Sequence, residues 1–217
     1  MPADRPQPPP TIYVLAGVNG AGKSSVLGSS VREAGGEYYN PDEVARTLMA
    51  RHTGMSQTEA NAAAWQRGRL MLERAISTGK DYSFETTLGA ATIPRLLIEA
   101  AGKGFAVRAR FVGLATPELH IARVKARVAL GGHDISEADI RRRFEHSRQN
   151  LIALLPWLSS LRLFDNSEAA DPTEGQAPHP RLLLHMEQRT ILNPQALITC
   201  PPWAKPIAAA AMKLRQL

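Results

Sequence analysis

Two periodicities of apolar residues divide the chain. Thr11-Ile12-Tyr13-Val14-Leu15-Ala16 is a continuous apolar run rich in β-branched residues and predicts a buried strand. A helix is expected from about Lys23 to Ala34, where Gly35-Gly36 stops it. Glu37-Tyr38-Tyr39 reads as a short strand, and Asn40-Pro41-Asp42-Glu43 opens a helix with proline in the first turn and acids at its positive end. Ser56 to Thr78 has helical spacing, with Ala60, Ala64, Leu70 and Ile76, joined by Met71 and Leu72, forming an apolar stripe closed by Gly79-Lys80-Asp81. Tyr82-Ser83-Phe84 then predicts a buried strand running into Glu85-Thr86-Thr87.

The second half repeats the alternation. A helix at about Ala91 to Ala101 precedes the clearest strand, Phe105 to Leu114. Thr116-Pro117-Glu118 starts a helix that Gly131-Gly132 stops after Leu130, and Ser136 caps another that continues past Phe144 toward Pro156. Leu161 to Phe164 is a last core strand ending at Asp165-Asn166-Ser167. Leu182 to His185 and Thr190 to Leu192 predict a hairpin, and Lys205 to Leu217 a terminal helix. Strand and helix in alternation imply an α/β fold, a doubly wound parallel sheet with helices on both faces. One domain is expected over residues 11–217. Met1 to Pro10, with five prolines, reads as an unfolded or polyproline-like tail, and Glu168 to Pro180 as a loop.

The first strand leads into Gly17-Val18-Asn19-Gly20-Ala21-Gly22-Lys23-Ser24, which fits the phosphate-loop pattern in the strand-then-helix setting that the pattern requires. Glycines let the backbone turn its N–H groups around a phosphate, and the following helix adds its positive end. Gly17, Asn19, Gly20, Ala21, Gly22, Lys23, Ser24 and Ser25 are the expected nucleotide contacts, for ATP or GTP. Lys23 neutralises the outer phosphates and Ser24 ligates Mg²⁺.

With 217 residues, 44% of them hydrophobic, the chain can bury one sizeable core. The single cysteine excludes a disulfide framework and a thiol zinc cluster, and no apolar stretch reaches bilayer length. A soluble, cytoplasmic protein without membrane contact is expected. A net charge of +6 and a pI near 9.8 suit phosphate-bearing partners. Because many cations fall between Arg108 and Arg148, beside the expected nucleotide, small phosphorylated ligands are favoured over a nucleic-acid surface. A nucleic-acid-associated NTPase or polynucleotide kinase, and a regulatory ATP-binding protein, are the competing readings.

A phosphotransfer site also needs an acceptor side. Asp42 and Glu85 lie just beyond strand ends, where a doubly wound sheet places its working residues. Asp42 could equally be a first-turn helix acid, and Glu85 a solvated carboxylate. Thr86 and Thr87 could donate to a bound hydroxyl or simply belong to a strand. Arg123 and Arg127 share a helix face, and such a pair suits an anion lodged between its members as well as a solvated basic face. His133, between paired glycines and a helix start, could close over the phosphates, and at most one or two of Arg141, Arg142 and Arg143 can face them. No Gly-rich transporter signature, no strand ending in paired acids as in a mechanical AAA-type ATPase, and no Asn-Lys-x-Asp base reader of a small GTPase is visible.

Taken in order, the phosphate loop, Asn40-Pro41-Asp42-Glu43, Phe84-Glu85-Thr86-Thr87, Arg123 through Arg127, Gly131-Gly132-His133, Arg141-Arg142-Arg143-Phe144 and Phe164-Asp165-Asn166-Ser167 make the chain resemble the zeta-toxin family of P-loop kinases, in its compact stand-alone branch. The resemblance implies a five-stranded core, a helical lid over about 123–148, and transfer of the ATP γ-phosphate to a hydroxyl of a nucleotide sugar similar to UDP-N-acetylglucosamine. It implies that Asp42 activates the acceptor hydroxyl and that Glu85 with Thr86 belongs to the acceptor-binding segment. Arg123 resembles a phosphate-stabilising lid arginine. His133 stands close to where the family has a second one, a role open to Arg127 or Arg143. Arg143 and Asn166 complete the nucleotide side. A toxin role, with an antitoxin protein as partner, belongs to the same resemblance.

Overall fold

The computed structural model describes residues 8–26, 38–168 and 180–214. Seven strands form one sheet in the order β2-β3-β1-β4-β5-β6-β7. They are β1 Thr11–Ala16, β2 Tyr38–Tyr39, β3 Tyr82–Thr86, β4 Ala106–Gly113, β5 Ser160–Asp165, β6 Arg181–Glu187 and β7 Thr190–Ile191. The first five run parallel, as the alternation of elements requires. The expected hairpin exists, and it also joins the sheet: β6 pairs antiparallel with β5, and β7 with β6. The five-stranded parallel core is therefore extended by two strands that cover the edge of β5.

Around the sheet lie α1 Lys23–Val26, α2 Pro41–Arg51, α3 Gln57–Thr78, α4 Thr92–Gly102, α5 Pro117–Ala129, α6 Glu137–Leu154 and α7 Lys205–Leu214. The expected continuation of the first helix to Ala34, its Gly35-Gly36 stop and Glu37 lie outside the described residues, as do residues 1–7 of the tail, 169–179 of the acidic loop and the last three residues. Pro10 is already tied to the sheet, because its carbonyl accepts from the Ala106 N–H at 2.9 Å.

Local chemistry starts the helices where the sequence predicts. The Asn40 Oδ1 accepts from the N–H groups of Asp42 and Glu43 at 2.9 and 3.3 Å, which caps α2. Ser56 and Glu59 form a reciprocal capping box on α3, which ends at Gly79. Thr116 caps α5 and Ser136 caps α6. The α3 stripe differs in one member: Leu70 is exposed, while Ala60, Ala64, Leu72, Ala75 and Ile76 are buried. Leu70 lies six residues after Ala64, about 600° round the helix, and so falls outside the inward arc.

Alternation divides the sheet's faces. Ile12, Val14 and Ala16 of β1 join Val107, Ala109 and Phe111 of β4 in the main core, under Leu97 of α4, Leu151 of α6 and Ile207 of α7. Leu15 and Val112 face the other way and pack with Ala21 of the phosphate loop. Because β1 is flanked by β3 on one side and β4 on the other, the chain reverses its direction of travel across the sheet at the carboxyl end of β1. That crevice is where an open α/β sheet binds its ligand.

Candidate active site

Gly17 to Ser24 leaves β1 in this crevice. Gly17 has φ +144°, and a Cβ there would lie 2.2 Å from the Val112 carbonyl oxygen; Gly20 has φ +81°, and a Cβ would lie 2.7 Å from the carbonyl oxygen of His120. Both positions demand glycine on conformation and on space. Three side chains hold the loop from outside. The Asn166 Nδ2 donates to the Ala21 carbonyl at 2.9 Å. The Arg143 Nη1 donates to the Asn19 Oδ1 at 2.7 Å, and His120 Nδ1 lies 2.8 Å from the Asn19 carbonyl oxygen.

Within the loop, Lys23 is buried, with its Nζ 3.3 Å from the Glu85 Oε1 and donating to the Val18 carbonyl at 3.4 Å. The Ser24 hydroxyl donates to the Glu85 Oε2 at 2.7 Å, and the Tyr38 hydroxyl donates to the same oxygen at 2.8 Å. Glu85 is thus a buried carboxylate turned onto Lys23 and Ser24 of the loop. The parallel pairing of β3 with β1, which sets Glu85 against Leu15, brings it there. The side chain of Ser25 lies outside the described residues.

Two cavities meet over this cluster. The loop-side cavity, about 780 Å³, is bounded by Gly20, Gly22, Ser24, Arg123, Arg127 and Asn166. The outer cavity, about 620 Å³, runs along Thr86, Thr87, Trp65, Arg69 and Arg143. Asn19, Lys23, Asn40, Asp42, Glu85 and His133 line both. Asp42 is half-exposed at the junction, its Oδ2 3.9 Å from the Arg127 Nη1.

The remaining expected residues separate by helix phase. Of the three consecutive arginines on α6, only Arg143 turns to the loop. Arg141 pairs with Glu118 and Arg142 with Asp139 at the surface. Arg123 and Arg127 both reach the loop-side cavity; their guanidinium groups donate to the carbonyls of Glu168 and His133 at 3.3 and 3.1 Å. Burial lowers the pKa of Arg123 and Arg143, opposed by Asp165 and Asp139 respectively, and both stay charged at neutral pH. Burial also pushes His133 below the usual histidine value, with Asp42 opposing it. Thr86 and Thr87 accept from the N–H groups of Leu88 and Gly89 through their hydroxyl oxygens, at 3.1 and 3.3 Å. Ser147 and Asn150 of α6 pin the same turn by donating to the carbonyls of Thr87 and Leu88, both at 2.6 Å.

Sequence reasoning passes over His120, Tyr38 and the amide of Asn40, whose Nδ2 lies 3.4 Å from both the Ser24 Oγ and the Glu85 Oε2. Nothing in residue type marks His120, which is 0% exposed. Burial, partly opposed by the Asn19 hydrogen bond, lowers its pKa to about 4. It is therefore neutral at pH 7, Nδ1 donates to the Asn19 carbonyl, and Nε2 is buried with no partner among the described residues. The unfolded histidine, with its ordinary value near 6.5, binds a proton that the folded one refuses, so this stability is complete above about pH 6.5 and is lost as pH falls to about 4. The drop amounts to about 3 kcal/mol. Urea unfolding of wild type and His120→Asn at pH 7 and pH 4.5 checks it, because the variant should lose less stability on acidification.

Comparison with known proteins agrees with this architecture. An uncharacterized protein of Haemophilus influenzae is 28% identical over 128 residues, covering 59% of this chain and 88% of its own. Among solved structures, AvrRxo1-ORF1 in complex with AvrRxo1-ORF2 superposes with a TM-score of 0.62 at 15% identity, over 94% of this chain and 64% of that one, so the present chain spans somewhat under two thirds of its length. The PezAT chromosomal toxin–antitoxin system of Streptococcus pneumoniae gives 0.52 at 17% identity, over 82% of this chain and 78% of that one. A kinase-like protein of Chloroflexus aurantiacus gives 0.51 at 14% identity, over 63% and 78%. These likenesses are of fold, and the fold is that of P-loop kinases. No single likeness singles out the zeta toxins. Among the described residues no helix is long and apolar enough to cross a membrane. Residues 12–149 match the family model AAA_33, described as an AAA domain, and the chain belongs to that family.

Proposed function

We propose that the protein is an ATP-dependent small-molecule kinase that moves the γ-phosphate to a hydroxyl of its acceptor. The observation that carries this reading is the position of Asp42, on the border of a phosphate-loop cavity and a second cavity of acceptor size. A carboxylate at that border can accept the proton of a hydroxyl approaching from the outer side. Glu85 is committed to Lys23 and Ser24, which leaves Asp42 for the acceptor. Lys23, Arg123 and Arg127 offset the charge on the phosphates, and Arg143 holds Asn19 in place. The solved AvrRxo1-ORF1:ORF2 complex with ATP supports ATP as donor.

The donors present suit Mg²⁺. The Ser24 hydroxyl and the Glu85 carboxylate lie 2.7 Å apart beneath the loop, and Mg²⁺ prefers one or two such protein oxygens completed by water and phosphate. When bound it neutralises phosphate charge. Ser24 would be its direct ligand and Glu85 the acid that orients its water, so Glu85 serves the metal side more than the acceptor.

For the acceptor, the zeta-toxin resemblance favours a nucleotide sugar similar to UDP-N-acetylglucosamine, and the outer cavity has room for one. The same resemblance, with the partner proteins of the PezAT and AvrRxo1 structures, favours an antitoxin-like protein partner. ADP release measured with a cell extract tests the kinase reading. The dialysable, small-molecule fraction is expected to stimulate ADP release several-fold. Stimulation confined to the retained fraction and removed by nuclease would favour a polynucleotide acceptor instead.

A further inference from the structure

We infer that Trp65 is the platform on which the acceptor's ring lies, so that the outer cavity selects a hydroxylated molecule with a flat ring face, a nucleobase or a pyranose, over an open-chain polyol. The inference rests on the kinase reading above and deepens it.

Residues Gln57, Asn61, Trp65 and Arg69 follow one another at four-residue intervals on α3 and line the outer cavity together. Such spacing puts them in one stripe beside the buried face of the helix. Polar groups fill that stripe except at Trp65, whose residue surface is 42% exposed. Of the two other tryptophans, Trp203 is buried at 4% in the core, and Trp157, at 45%, lies on neither cavity. Of the three tryptophans, Trp65 alone lines either of the two cavities. The polar members already have polar partners. The Gln57 Nε2 donates to the Asn61 Oδ1 at 2.9 Å, and Arg69 is paired with Glu73 at 2.5 Å while its Nε donates to Gln66. The Arg69 guanidinium, four residues on, thus has its counter-ion, and the indole is the apolar group that this stripe offers a ligand. Thr86, Thr87 and Asp42 line the same cavity, so a ring resting on Trp65 would share that cavity with the carboxylate.

Stacking on an aromatic side chain is worth a roughly tenfold to hundredfold change in affinity per ring. The test uses the whole protein with Trp157→Phe, so that Trp65 is the exposed indole, titrated with uridine, N-acetylglucosamine, UDP-N-acetylglucosamine and, as open-chain control, xylitol. A saturable change in indole fluorescence is expected with at least one ring compound, none with xylitol, and none after Trp65→Leu. Uridine and N-acetylglucosamine separate a base platform from a sugar platform. With the probe that binds, labelled transfer from ATP should show the acceptor KM raised tenfold to hundredfold in Trp65→Leu and largely restored in Trp65→Phe, with the KM for ATP within twofold throughout. No fluorescence change with any ring compound, an equal change with xylitol, or a change that survives Trp65→Leu overturns the platform. Quenching without transfer keeps the platform and sinks the kinase reading, whereas transfer with an unchanged acceptor KM in Trp65→Leu does the reverse.

Discussion

Lys23→Ala is expected to lose about three orders of magnitude in kcat/KM for ATP, the loss typical of removing one fixed charge from developing phosphate charge. Lys23 is held to the loop by the Val18 carbonyl and by Glu85, so its ammonium is confined to the place where phosphates must lie. Its removal takes a cation from a buried carboxylate, a step that by itself can unfold a protein. Here Glu85 keeps the hydroxyls of Ser24 and Tyr38 as donors, so the variant should still fold. Circular dichroism and a urea curve beside the kinetics separate the two effects. Weakened ATP binding in a folded variant supports the assignment, and unchanged ATP turnover contradicts it.

Asp42→Asn is expected to behave differently. The amide keeps the size of the side chain, and α2 is capped by Asn40, so the helix start is untouched. What is lost is a base for the acceptor hydroxyl, a loss of about two to four orders of magnitude in kcat. Affinity for ATP should stay within a few-fold, because the phosphate contacts belong to the loop and to Arg123 and Arg127. The 3.9 Å approach of Arg127 to Asp42 adds a second signature. Without the negative charge the guanidinium is freer to face phosphate, so ATP affinity should hold or rise slightly. Isothermal titration with a non-hydrolysable ATP analogue reads the binding, and labelled transfer reads the chemistry.

Local signals carried much of this architecture. Thr116, Ser136 and Gly131-Gly132 mark helix boundaries with capping chemistry that acts within a few residues, and β1, β3, β4 and β5 announce themselves by apolar runs. What stayed hidden depends on partners distant in sequence. The hairpin at β6 and β7 is legible as a hairpin, but its pairing with β5 is tertiary and leaves no period in the chain. The turn of Glu85 onto Lys23 and Ser24 follows from β3 lying next to β1, which strand order decides and a strand's own residues do not. Arg143 could be told from Arg141 and Arg142 only by the phase of α6 relative to the loop. His120 gives no sign at all, since a histidine on an amphipathic helix reads the same whether it faces water or the underside of a phosphate loop. Trp65 went unmarked for a related reason: an aromatic at helical spacing ordinarily belongs to the core.

Phosphotransfer to a small molecule is tested most directly by incubating the protein with γ-labelled ATP and a metabolite extract and identifying by mass what gains phosphate, with Asp42→Asn run beside it. Phosphate is expected on a hydroxyl of one small molecule in the wild type and should be nearly absent in the variant, although both bind ATP. Label appearing only on polynucleotide or only as free phosphate, or equal transfer by Asp42→Asn, would contradict it.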